Sequence, residues 1–132
     1  MNAPLRVALI GYGFVGKVFH APLIQATPGL VLHTVVSRDA GKVHADWPDV
    51  QVVGDTDAAF ADPAVDVVVI ASPNDSHAPL AMAALAQGKH VVVDKPFTVT
   101  LAEARDVVDA ARRAGRLVSV FQNRRWDGDF LP

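Results

Sequence analysis

The 132-residue chain contains no cysteine, which excludes a disulfide scaffold and any zinc ribbon built on thiolates. No apolar run approaches the roughly 18 to 20 residues a spanning helix needs, so no membrane partner is expected. An excess of one charge is missing too. Twelve basic residues stand against 14 acidic ones, a formal net charge of -2, whereas a nucleic-acid partner would want clustered Lys and Arg. The start, Met1-Asn2-Ala3-Pro4, lacks the basic and apolar stretches of a secretory signal. A cytoplasmic protein with no metal site is the expectation. Repeats, low-complexity tracts and linkers are also absent, which points to a single domain. A chain this long hides roughly two-thirds of its unfolded surface, enough for a core without staples.

What the chain has in quantity is alanine and valine, 21 and 22 residues. The valines fall in unbroken apolar runs: Val7 to Ile10, Leu30 to Val36, Val50 to Val53, Val65 to Ala71, Val91 to Val93 and Leu117 to Phe121. Runs that do not alternate predict strands buried on both faces, as in a parallel sheet covered by helices. Between them, Thr100 to Ala114 carries a capping box in Thr100 and Glu103, an apolar stripe of Leu101, Ala104, Val108 and Ala111, and a stop at Gly115. Ser76 to Gln87, closed by Gly88, predicts a second helix with Pro79 in its first turn. A helix from about Phe14 to Ala26 should kink or end early at Pro22, while Asp39 to Ala45 and Asp55 to Ala61 read as short helices or turns. The alternation predicts an α/β fold with a doubly wound parallel sheet, Rossmann-like.

Gly11-Tyr12-Gly13-Phe14-Val15-Gly16 follows the first strand and opens the first helix. In that setting Gly11 serves a tight turn, Gly13 lets the backbone approach a pyrophosphate, and Gly16 allows close packing of helix on strand. The N–H groups of Phe14 and Val15 then face the anion. The bland alternative is a glycine-rich turn packed on a neighbouring helix. At the tip of the second strand a site for NAD usually offers an acid to the ribose 2'-hydroxyl. This chain has Ser37-Arg38, a hydroxyl and a planar fork of donors that suit a 2'-phosphate and favour NADP, with NAD as the alternative. Asp39 is either a ribose acceptor or, by preference, a helix cap.

Ser72-Pro73-Asn74-Asp75-Ser76-His77 follows the fourth strand, at the crevice where the strand order reverses, so Ser72 and Asn74 are candidate cofactor partners. Asp75 and Ser76 read as helix caps, and His77 as a packing or capping residue before an acid or base. Asp94-Lys95-Pro96 ends the fifth strand. An Asp-Lys pair there would ordinarily be a solvated ion pair. At this edge, however, Lys95 reaches the crevice where a nicotinamide would lie, and its ammonium can hydrogen-bond a substrate hydroxyl and stabilise an alkoxide.

Gly11 to Gly16, Asp94-Lys95-Pro96 and Ser72-Pro73-Asn74 with His77 resemble the N-terminal domain of the glucose-fructose oxidoreductase and inositol dehydrogenase family, Gfo/Idh/MocA. Phe19-His20-Ala21-Pro22-Leu23, Ser37-Arg38 and Asn123-Arg124-Arg125-Trp126-Asp127 are most similar to its branch of NADP-dependent scyllo-inositol dehydrogenases. The resemblance implies an oxidoreductase that moves hydride between a nicotinamide cofactor and a secondary alcohol of a polyol, sugar or inositol, with Lys95 catalytic. It also implies cofactor contacts from Pro73, His77, Asp94, Asn123 and Arg124, and a homo-oligomer for the full-length protein. Asp94 departs from the family's usual Glu. The family's second, α+β domain is absent, so residues 1–122 are expected to form the dinucleotide-binding domain and 123–132 the start of a crossover in a truncated, inactive fragment. Trp126 and Phe130 would then have packed on the missing part. A regulatory domain that senses a dinucleotide is the alternative, and Lys95, for which a sensor has no use, separates the two. An S-adenosylmethionine enzyme would want an acid at the second strand's tip.

Overall fold

In the computed structural model, residues 3–95 and 97–121 are described. Six parallel strands form one sheet: β1 (Leu5–Ile10), β2 (Leu30–Val36), β3 (Gln51–Val53), β4 (Val67–Ile70), β5 (His90–Asp94) and β6 (Val118–Phe121), in the order β3-β2-β1-β4-β5-β6. The reversal falls between β1 and β4, which pair directly from Val7 opposite Val67 to Ile10 opposite Ile70. This is the doubly wound order, with its crevice outside the carboxyl ends of β1 and β4.

Successive side chains of a strand face opposite sides of the sheet, and here both sides are covered. Val7 and Leu9 pack with Ile24, Val43 and Val50 on one side; Ala8 and Ile10 pack with Phe60, Leu85 and Val107 on the other. That double burial is why the strands read as continuous apolar runs. The helices divide accordingly. α1 (Ala21–Ala26) and α2 (Ala40–Asp46) serve the first face, while α3 (Thr56–Ala61), α4 (His77–Ala86) and α5 (Leu101–Ala114) serve the second. Among the described residues no helix is long and apolar enough to cross a membrane.

Helix ends follow the sequence closely. Thr100 Oγ1 accepts from Glu103 N–H while Glu103 accepts from Thr100 N–H, and Gly115 closes α5 at φ 66° in the left-handed region. Asp39 and Asp55 cap α2 and α3 by accepting from the N–H groups of Lys42 and Ala58.

Three expectations change. The buried face of α5 is Val107 and Ala111, whereas Leu101 and Val108 stand 67% and 43% exposed. Only Ala104 and Ala111 of the predicted stripe are buried or partly so, because the helix turns residues 104, 107, 110 and 111 inward and packs on α4. Ser76 makes no side-chain cap for α4, which grows instead out of a 3-10 turn, Asn74–Ser76. Pro22 does not end its helix, which runs on to Ala26. A π-helical turn, Gly16–His20, precedes α1, and the Ala21 N–H reaches back five residues to the Gly16 carbonyl. A proline ring clashes with the carbonyl four residues before it, here that of Val18, and the wider turn relieves the clash.

Candidate functional site

The crevice is built from four strand tips. β1 ends at Ile10, and Gly11 turns away with φ 98°, a conformation that side chains rarely adopt. A Cβ there would also stand 3.0 Å from the Ala71 carbonyl oxygen. The Gly11 N–H donates to Val36 O at 3.1 Å, tying this turn to the end of β2. At Gly13 an added Cβ would meet nothing within 4 Å, so the bare backbone faces open space. At Gly16 it would collide with the Gly11 carbonyl oxygen. The three glycines therefore have three distinct physical grounds. Phe14 and Val15 open the helix, and N–H groups in a first helical turn lack acceptors within the helix and carry its positive end.

Ser37 follows β2 and holds it to β3 through Ser37 N–H to Val53 O, 3.1 Å. Its hydroxyl oxygen accepts from Asp39 N–H at 3.1 Å, leaving the hydroxyl hydrogen to donate elsewhere. One Asp39 carboxylate oxygen is engaged at 3.0 Å by the Lys42 N–H, which is the capping role. Ser37 and Arg38 line a cleft of about 440 Å³ together with Gly11, Gly13, Ser72 and Pro73. That size and that mixture suit a small-molecule site.

After β4, Ser72 and Ser76 share a hydroxyl hydrogen bond of 2.6 Å, and Ser76 Oγ donates to Pro73 O. His77 lies beneath, 1% exposed, with Nε2 at 2.9 Å from Ser72 O. That contact ties the start of α4 to the loop that carries Ser72 and Pro73. Asn74 is exposed on the same loop.

At the end of β5, Asp94 Oδ1 faces His20 Nε2 at 3.7 Å. The His20 ring is 3% exposed. Burial pushes its pKa below the ordinary value, and the Asp94 carboxylate opposes part of that shift. The shorter acid thus has a partner, and it joins β5 to the helix that follows the glycine turn. Lys95 is exposed at the same edge. Pro96, Asn123, Arg124, Trp126 and Phe130 lie outside the described residues.

Tyr12, which no pattern in the sequence marks as a site residue, lines the floor of the cleft. It is 4% exposed, and its hydroxyl donates to Asp46 Oδ2 at 2.6 Å. Burial and the Asp46 carboxylate raise its pKa to about 12, so the phenol remains a donor at physiological pH. Lys17 Nζ also approaches Asp46, at 3.7 Å. Lys42, another cleft residue missed, was legible in principle: it stands three residues after a helix cap.

Comparison with known proteins fits this geometry. Residues 5–122 match the Gfo/Idh/MocA family model, described as an oxidoreductase family with an NAD-binding Rossmann fold. The uncharacterized oxidoreductase YdgJ of Escherichia coli K12 is 58% identical over 131 residues, 99% of this chain and 38% of that one. The scyllo-inositol 2-dehydrogenase (NADP(+)) IolW of Bacillus subtilis is 38% identical over 127 residues, 96% of this chain and 36% of that one. A crystal structure from Klebsiella pneumoniae superposes with a TM-score of 0.92 at 61% identity, covering 96% of this chain and 37% of that one. The chain thus spans less than two-fifths of the length of these curated relatives.

Proposed function

The chain belongs to the Gfo/Idh/MocA oxidoreductase family, and from that premise we propose that it is the NADP(H)-binding part of an enzyme oxidising or forming a secondary alcohol on a polyol, sugar or inositol. The observation that carries the cofactor choice is the β2 tip. Ser37 and Arg38 line the cleft, and the acid beside them is engaged as a helix cap. The open space at Gly13 and the left-handed Gly11 fit the approach of a diphosphate. The relative IolW, named as NADP(+)-dependent, supports the same choice and the alcohol class.

When bound, the nicotinamide ring supplies the hydride acceptor or donor. The chain does the rest by position. The backbone N–H groups of Phe14 and Val15 donate to the diphosphate. Arg38 meets the 2'-phosphate with two charge-assisted bonds, and Ser37 Oγ donates a third. Lys95, at the β5 edge, donates to the substrate hydroxyl oxygen, and its charge stabilises the alkoxide that forms as the hydroxyl proton passes to a base that the described residues do not supply. Asp94, backed by His20, fixes the end of the strand that carries it.

Binding tests the cofactor choice. A charge-assisted bond is worth roughly 1.5 to 3 kcal/mol when well formed, and solvent at this exposed end lowers the return. NADPH is expected to bind at least tenfold more tightly than NADH, about 1.4 kcal/mol. Arg38→Ala should erase most of that gap by weakening NADPH alone. Equal affinities in the wild type, measured by calorimetry, refute the proposal.

A further inference from the structure

The glycine turn carries one side chain into the core. Tyr12, flanked by Gly11 and Gly13, is 4% exposed and belongs with Leu9, Ile24 and Val43 to the core of the first face. Packing accounts for the ring but not for what meets its hydroxyl. That hydroxyl donates to Asp46 Oδ2 at 2.6 Å, and Lys17 Nζ approaches the same oxygen at 3.7 Å. The Lys17 N–H in turn donates to Gly13 O at 2.9 Å. These contacts close a ring that runs from Tyr12 through Asp46 and Lys17 to Gly13, which is bonded to Tyr12. Phe14 and Val15, whose N–H groups face the diphosphate, lie on the stretch of chain between Gly13 and Lys17.

Nothing else favours an acid at position 46. It is the last residue of α2, the end at which the helix dipole disfavours a carboxylate. It also touches a residue that lines the cleft, where its negative charge repels an anionic ligand. What it does achieve is to anchor the turn. Glycine on either side of Tyr12 leaves that backbone wide conformational freedom, and the tethered phenol is what restricts it.

We infer that Asp46 is a positioning residue: by holding the Tyr12 hydroxyl, it fixes the turn from Gly11 to Gly13 in the form that receives a dinucleotide's diphosphate. A turn ordered in advance loses less freedom when the ligand arrives. This rests on the dinucleotide reading above but not on which dinucleotide binds.

The test is calorimetric titration of NADPH and NADH into the chain and its variants, with urea midpoints to verify that each is folded. Asp46→Ala and Asp46→Asn remove the same charge, but only asparagine keeps an acceptor for the Tyr12 hydroxyl. Both also lose the pairing with Lys17, which is half exposed and contributes little. Asp46→Ala is expected to weaken both dinucleotides by the same factor, three- to tenfold. Asp46→Asn should restore affinity to within twofold of the wild type. Tyr12→Phe, which keeps the ring in the core, should lose as much as Asp46→Ala, and the double variant no more than either alone. If Asp46→Ala binds as tightly as the wild type or more so, the carboxylate acts only as a charge and the inference fails. It fails too if Asp46→Asn is as weak as Asp46→Ala, or if the losses add in the double variant. A wild type that binds neither dinucleotide overturns the dinucleotide reading itself.

Discussion

Replacing Gly13 and Gly16 by alanine, one at a time, should separate binding from stability at two positions three residues apart. At Gly16 the new methyl meets the Gly11 carbonyl. A Cβ has no torsion by which to swing aside and the carbonyl is backbone, so the strain is relieved only by moving the helix off β1. Overpacking of this kind costs typically 1 to 3 kcal/mol, partly offset by the roughly 1 kcal/mol that alanine gains over glycine inside a helix. Because that collision is closer than side-chain overpacking, the upper half of the range is expected, a net loss of about 1 to 2 kcal/mol. For a chain of this size that lowers Tm by roughly 3 to 10 °C. At Gly13 the methyl meets nothing within 4 Å and the backbone has no positive φ. Stability should stay within about 0.5 kcal/mol of the wild type. The same methyl occupies the space through which the diphosphate approaches, so NADPH affinity should fall at least tenfold. Urea denaturation gives one quantity and nicotinamide fluorescence titration the other. The reasoning is refuted if Gly16→Ala is as stable as the wild type, or if Gly13→Ala binds NADPH unchanged.

The chain alone should bind NADPH yet oxidise inositol and other polyols no faster than background, since Lys95 stands exposed without an enclosed, dry pocket; appreciable turnover by the purified chain would contradict this. In a full-length enzyme, Lys95→Met should lower the hydride-transfer rate by about two to four powers of ten with little change in cofactor affinity, read by single-turnover absorbance. The depressed His20 pKa makes a stability contribution that is complete above about pH 6.5 and lost as pH falls from there toward the folded-state value. Urea midpoints between pH 7.5 and 5 should show that slope, and His20→Gln should flatten it. Tyr12 is the only tyrosine. The phenolate band near 295 nm should therefore appear well above pH 10 in the folded chain, with stability falling as pH rises from about 10 toward 12; Asp46→Asn should bring the midpoint down.

The strands were legible because the sheet is covered on both faces, and a buried parallel strand has no polar side to confuse its reading. Caps were legible because they are local: Thr100, Asp39 and Gly115 each act within a few residues of where they stand. Groups that act across the fold were not. Lys89 is 6% exposed, with its ammonium donating to the carbonyls of Asp62 and Val65 at 2.7 Å each, and no pattern around it signals a buried lysine. The pairing of His20 with Asp94 and of Tyr12 with Asp46 joins residues 74 and 34 positions apart. Such contacts exist only once the sheet order is fixed. In the glycine turn the motif identified the turn itself, while the residue between its first two glycines concealed a core side chain.

The π-helical turn before Pro22 has a consequence for how the crevice is tuned. One extra residue in a helix advances everything after it by about 100°. The segment ahead of Gly16–His20 takes its phase from the glycine turn, which Gly16 holds against Gly11; the segment behind takes its phase from Ala21 and Ile24 seated in the core. A regular α-helix would force one phase on both, and either His20 would swing away from Asp94 or the first turn would rotate out of the crevice. The wide turn acts as a splice between two independently registered gears. Shortening the chain by one residue within it should disengage His20 from β5 while every strand stays in place.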